Sequence, residues 1–244
     1  MQARHLPLIT PRYWTAILVA SIFGTNMGDL YAHESGLGLL GGLPILMALF
    51  AAVYVAERFD KLTHDAYYWL CIIILRTGAT NIADYMAGRR GLGIDRIILS
   101  VGLAVLIAAL AWVAARKGSL KEKGLPETDL LYWGTMLAAG VFGTVLGDFF
   151  EHKIGLGVAA LVLTVALLPF LIVYWRTALP SLYLYWVVIS AARTTGTAIG
   201  DWLAESDMLK IGLPICTLGS GIVFTALLVL WRDRRPQREA LTPA

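Results

Sequence analysis

Four aspartates recur at the same point of a repeated phrase. Asp29, Asp84, Asp148 and Asp201 each stand four residues after a threonine, Thr25, Thr80, Thr144 and Thr197. In two copies an arginine precedes the aspartate by eight residues: Arg76 before Asp84, and Arg193 before Asp201. In the other two a histidine follows it by four, His33 and His152, with Glu34 and Glu151 alongside. Residues four apart stack on one helix face. Each copy therefore carries a polar stripe: Ser21–Thr25–Asp29–His33, Arg76–Thr80–Asp84, Gly140–Thr144–Asp148–His152 and Arg193–Thr197–Asp201. Carboxylates and hydroxyls at one depth suit a cation. Asp29, Asp148, Glu34 and Glu151 with His33 and His152 make an oxygen and nitrogen set suited to a divalent transition metal such as Mn, Fe, Co, Ni or Zn. Four aspartates against two arginines leave a formal −2 when all are ionised, which protons or a bound cation must offset in a low dielectric. Arg76 and Arg193 read first as counter-charges to the aspartates.

These stripes lie in an apolar chain. Hydrophobic residues make up 58% and charged residues only 15%, where a soluble domain carries about a quarter charged. Gly36–Ala56, Ile97–Ala115, Ile154–Trp175 and Ile211–Trp231 contain no charge, and each is long enough to cross about 30 Å of hydrocarbon as a helix. The expectation is an all-α integral membrane protein of eight helices, near 13–32, 38–56, 67–87, 95–115, 131–151, 155–175, 184–204 and 211–231. The first apolar stretch follows basic residues as a signal peptide does, but it is too long and contains Asp29, so it reads as a retained helix. Cys71 and Cys216 fall inside apolar runs and read as small buried hydrophobes. The net charge of +3 sits in loops and tails and gives no footprint for nucleic acid.

The helices come in copies. Counting from Trp14, Trp69, Trp133 and Trp186, a small residue stands ten places on, Thr eleven, a second small residue fourteen and Asp fifteen, without a gap. Gly-Leu-Gly follows in three copies, at 36–38, 91–93 and 155–157; the fourth has Ile211-Gly212-Leu213 instead. Each copy is a Trp-to-Asp helix plus an apolar helix, and the alternation of His and Arg pairs the copies into two halves. The expected divisions are a first half at 1–115, a cytoplasmic link at 116–130, a second half at 131–231 and a basic tail at 232–244. The pattern W-x9-[GA]-T-x2-[GA]-D resembles a family of bacterial membrane proteins defined only as a four-fold tandem repeat of unknown function. The likeness spans Tyr13 to Trp231. It implies the architecture and lends no activity and no site residues.

Polar stripes cannot face lipid, since charge at depth costs several kcal/mol. The expectation is an inner ring of the four odd helices, stripes inward, wrapped by the four even ones, about a pseudo-two-fold, nearly four-fold, axis along the membrane normal. Gly24/Gly28, Ala79/Ala83, Gly143/Gly147 and Gly196/Gly200 are small-x3-small pairs that let helices approach closely. Thirteen Lys and Arg lie on the side of the termini and five opposite, which orients both termini to the cytoplasm of a bacterial inner membrane. The repeated Trp residues then read as interfacial anchors, with the Asp residues about 22 Å further along. Pro44, Pro169 and Pro214 read as kinks in even helices.

The function expected is a transporter or exporter of a cation, a divalent metal first, with proton coupling open. Its partners are the lipid bilayer and a small cation, with a homo-oligomer open. A second reading makes His33 and His152 ligands of a metal or haem in a membrane redox protein or enzyme. A third makes the Asp–Arg network purely structural, with Arg232–Arg238 contacting anionic lipid or a partner. No nucleophile elbow, phosphate loop or zinc-protease motif occurs, so no enzyme activity is expected.

Overall fold

The structure, a computed structural model, describes residues 6–59, 65–89, 91–117, 126–176 and 182–231. The expected loop cations Lys61, Arg90, Lys121 and Lys123, most of the link and the 232–244 tail lie outside them. The described chain is all-α: α1 (Pro11–Glu34), α2 (Gly38–Gly41), α3 (Leu43–Phe59), α4 (Asp65–Ala87), α5 (Arg96–Arg116), α6 (Leu130–Ile154), α7 (Leu156–Arg176), α8 (Leu182–Glu205) and α9 (Leu213–Leu230).

Local signals explain the helix ends. Asp95 caps α5 by accepting from the backbone N–H of Ile97 and Ile98, and Asp129 caps α6 by accepting from Tyr132, meeting donors that a helix start leaves orphaned. Gly155 stops α6 at φ 84°, where its N–H reaches Glu151 O, a backbone geometry that favours glycine. The expected second helix is broken at Gly42, which lies against Tyr31: a Cβ there would sit 2.2 Å from the tyrosine ring, and Tyr31 Oη donates to Gly42 O at 3.3 Å. Of the three expected kinks, Pro44 follows directly on this break, and Pro169 is interior to α7. Pro214 occupies the second position of α9, where a missing N–H removes no helical bond.

The chain is apolar on its outside. Five segments are long and apolar enough to cross a membrane: Gly38–Phe59, Arg96–Arg116, Leu130–Ile154, Leu156–Arg176 and Leu213–Leu230. Only 6% of the first span is buried, against 67% of Leu130–Ile154. Exposed Val101, Val105, Leu161, Val165, Leu218 and Ile222 are what a lipid-facing surface requires. Helices α1, α4 and α8 fall short of such hydropathy because they hold the arginines, aspartates, asparagines and threonines of the stripes, and the arginines and threonines among these are buried. A polar interior beneath an apolar exterior is the arrangement of a membrane protein.

Packing follows the small residues. α1 packs on α4 and α8, and α6 packs on the same two helices. A Cβ at Gly24 would meet Arg76, one at Gly143 would meet Arg193, and one at Gly196 would meet Ser21, all within 3 Å. The residue ten places after each Trp thus lies against the residue seven places after the next Trp; in the Ala79 copy the contact is with Gly140. Of the apolar helices, α3 lies on α4, α5 on α6, α7 on α8, and α9 on α1.

Candidate functional site

The four threonines converge on one guanidinium. Arg76, 1% exposed, leaves α4 opposite Gly24, where any side chain would fill its path. Its Nη1 donates to Thr80 Oγ1 at 3.2 Å, Thr144 Oγ1 at 2.7 Å and the Gly140 carbonyl at 3.4 Å. Its Nη2 donates to Thr25 Oγ1 and Thr197 Oγ1. Thr25, Thr80 and Thr197 pass their own protons to the carbonyl four residues back, Ser21 at 2.9 Å, Arg76 at 3.4 Å and Arg193 at 3.2 Å. Their lone pairs therefore face the cation. Arg193 is equally buried but lies elsewhere: Nη1 donates to Ser21 Oγ at 3.2 Å and Nη2 to Met136 Sδ at 3.3 Å. The hydrogen bonds of both guanidinia run to hydroxyls, a carbonyl and a thioether. Buried Asn26 and Asn81 follow two of the threonines, and among the described residues neither amide has a hydrogen-bond partner.

The aspartates lie one turn past the threonines, all half-buried. Three acids come together: a carboxylate oxygen from each of Asp148, Glu151 and Asp201 lies within 4.8 Å of the others. α6 supplies two of them and α8 the third. Among the described residues one ion pair touches this group, Arg96 Nε to Asp148 Oδ2 at 3.9 Å, from the first turn of α5. Asp29 and Asp84 stand at the corresponding places of α1 and α4 without joining it, and Glu34 and Glu205 are exposed at helix ends. His33 and His152 are also exposed, and their Nδ1 atoms are tied at 2.7 Å to the carbonyls of Asp29 and Asp148 in their own helices. The acid group is therefore built from carboxylate oxygen alone. Such hard donors suit Mg2+ or Mn2+ better than zinc or copper.

At the opposite end of the stripes stands a feature that the sequence reading passed over. Tyr13, Tyr68, Tyr132 and Tyr185 join their hydroxyls in a closed cycle: Tyr13–Tyr68 2.8 Å, Tyr68–Tyr132 2.7 Å, Tyr132–Tyr185 2.8 Å and Tyr185–Tyr13 2.7 Å. Each hydroxyl can donate once and accept once, so the cycle satisfies all four. A square with these edges puts its centre about 2 Å from each oxygen, well short of the ~2.7 Å that a water needs, so no water fits through the cycle. The signal was present, because a Tyr precedes every repeated Trp. The same cluster corrects the reading of the Trp residues as interfacial anchors. Trp14, Trp69, Trp133 and Trp186 are buried. Each stands edge-on to its own Tyr at 5.1–5.2 Å between centroids and packs beside a Tyr of another of the helices α1, α4, α6 and α8 at 5.4–5.9 Å. Cys71 and Cys216 are buried and free, as read from the sequence.

Residues 12–61 and 184–235 match the family model described as Repeat of Unknown Function (DUF347). Two stretches of the chain, one toward each end, are thus similar to a repeat to which no function is assigned. No curated protein and no solved structure matches the chain.

Proposed function

We propose that this chain is a membrane transporter of a cation, with a hard divalent ion such as Mn2+ as the first candidate. The observation that carries this reading is the group of Asp148, Glu151 and Asp201, whose oxygens come within 4.8 Å with Arg96 as the cation in contact. Three carboxylates so close repel one another unless protons or a metal intervene, and intramembrane acids mark ion paths by default. In this reading α1, α4, α6 and α8 form the inner ring about an axis along the membrane normal, and α3, α5, α7 and α9 face lipid. Both termini lie in the cytoplasm of a bacterial inner membrane. The tyrosine cycle then closes the cytoplasmic end of the path, and the acid group opens toward the outside. Proton coupling fits, since the same carboxylates can trade a metal for protons.

Thermal unfolding of the detergent-solubilised protein across Mg2+, Mn2+, Co2+, Ni2+ and Zn2+ tests the binding step. A ligand held only by the folded state raises the melting temperature with the logarithm of its concentration. The reading expects a rise with Mn2+ in wild type and its loss in Asp148→Asn and in Asp201→Asn. A panel in which no ion acts, or in which both variants respond like wild type, removes it.

A further inference from the structure

We propose that the four threonine hydroxyls form a cation cage whose resident ligand is the chain's own Arg76, so that the cage is a site for a planar cation of the guanidinium class. Its four oxygens come from α1, α4, α6 and α8, one from each sequence copy. The two terminal nitrogens of Arg76 divide them, Nη1 taking Thr80 and Thr144 and Nη2 taking Thr25 and Thr197. A planar fork with donors on two nitrogens matches four acceptors in this way, whereas a point charge would not span them. Three of the hydroxyls are oriented as acceptors because their protons are committed to helix carbonyls. Among the described residues no carboxylate is a hydrogen-bond partner of this guanidinium. The cage therefore recognises the shape and donors of the cation, not only its charge.

The asymmetry of the duplicated halves supports the assignment. Positions seven after each Trp hold Ser21, Arg76, Gly140 and Arg193. Two arginines thus stand at equivalent places, while the cage accepts one guanidinium. The sequence resolves the competition. Arg193 settles on Ser21 Oγ and Met136 Sδ. The residues that correspond to these in the other half are Gly140 and Ile17, which offer Arg76 no side-chain acceptor. Arg76 uses the Gly140 carbonyl and the cage instead. The alternative place is furnished for Arg193 alone, and the cage is left to Arg76. Arg76 thereby fills the interior between the acid group and the tyrosine cycle, and any cation moving between them has to displace it.

The test removes the tether and supplies the ligand. Arg76→Ala is melted in detergent with guanidinium chloride in the low-millimolar range, far below denaturing concentrations, against matched sodium and potassium chloride. The expected result is a melting temperature below wild type that climbs saturably with guanidinium, with no climb in wild type or in Arg76→Ala combined with Thr144→Val. Absence of a saturable climb, an equal climb with sodium or potassium, or an equal climb in the Thr144→Val background would overturn the assignment. Should Arg76→Ala give no folded protein even when purified with guanidinium, Thr144→Val and Thr197→Val in the presence of Arg76 decide the matter. Each should lower the melting temperature, and the double variant should depart from the sum because both lose bonds to one guanidinium. Strict additivity contradicts the cage. None of these outcomes depends on the metal titration at Asp148, so transport and cage can fail separately.

Discussion

Buried hydrogen bonds in this protein are concentrated at two points, Arg76 and the tyrosine cycle, and single atoms there carry measurable weight. Tyr132→Phe removes one hydroxyl from a cycle in which every member both donates and accepts, leaving Tyr68 and Tyr185 each short of a partner at 0% to 3% exposure. A loss of about 1–3 kcal/mol is expected, the range for stranding a buried polar group, readable as a lower melting temperature. A melting temperature equal to wild type would show that the hydroxyls do not cooperate. The Thr and Asp positions were legible at this scale, because charged and hydroxyl side chains at a fixed spacing in an apolar chain announce themselves. The tyrosines were not, since a Tyr beside a Trp at a helix end reads as part of an interfacial pair. Only the convergence of four helices shows that the hydroxyls meet. The partners of Arg76 were hidden for the same reason: spacing along one helix suggested Asp84, whereas the nearest acceptors come from three other helices as well as its own.

The helices were predictable to within a few residues, apart from the break at Gly42. Their content follows from uncharged runs bounded by Asp, Gly and Pro, which are local signals. Which glycines matter is a tertiary property. At Gly143 a Cβ would lie 2.6 Å from Arg193 Cβ and within 3 Å of backbone on α8, so the helices would have to separate. At Gly134, in the same helix, a Cβ meets nothing within 4 Å. Gly143→Ala should therefore destabilise by about 1–3 kcal/mol through overpacking. Gly134→Ala should be neutral or gain up to about 1 kcal/mol from helix propensity. Paired thermal melts check both, and equal effects would contradict the close approach of α6 and α8. The small-x3-small pattern pointed to tight packing, but not to which neighbour each glycine meets.

For the whole molecule, the apolar helices bind the copies together. Helix α3 lies on α4, α5 on α6, α7 on α8 and α9 on α1, so the last helix packs against the first. A chain ended at Gly212 would bare the α1 face that α9 covers, including the stacked Phe23–Phe224 pair at 6.3 Å. Such a chain should lose its monodisperse peak in detergent size exclusion; a stable, monodisperse product would show that closure is dispensable. The sequence carried the copies and their pairing into halves. It did not carry the order of contacts, which depends on distant segments folding together, nor the gathering of acids on α6 and α8, which depends on Glu151 standing where the other copies have Ala32, Ala87 and Ala204.

We propose that the carboxylates of α6 and α8 carry a cation across the bilayer. The most direct measurement is uptake of Mn2+ into proteoliposomes holding wild type, Asp148→Asn or Asp201→Asn, each first shown to be folded. Saturable Mn2+ flux is expected in wild type, with a loss of at least about tenfold, or ~1.4 kcal/mol, in both variants. Flux that persists unchanged in both would contradict it.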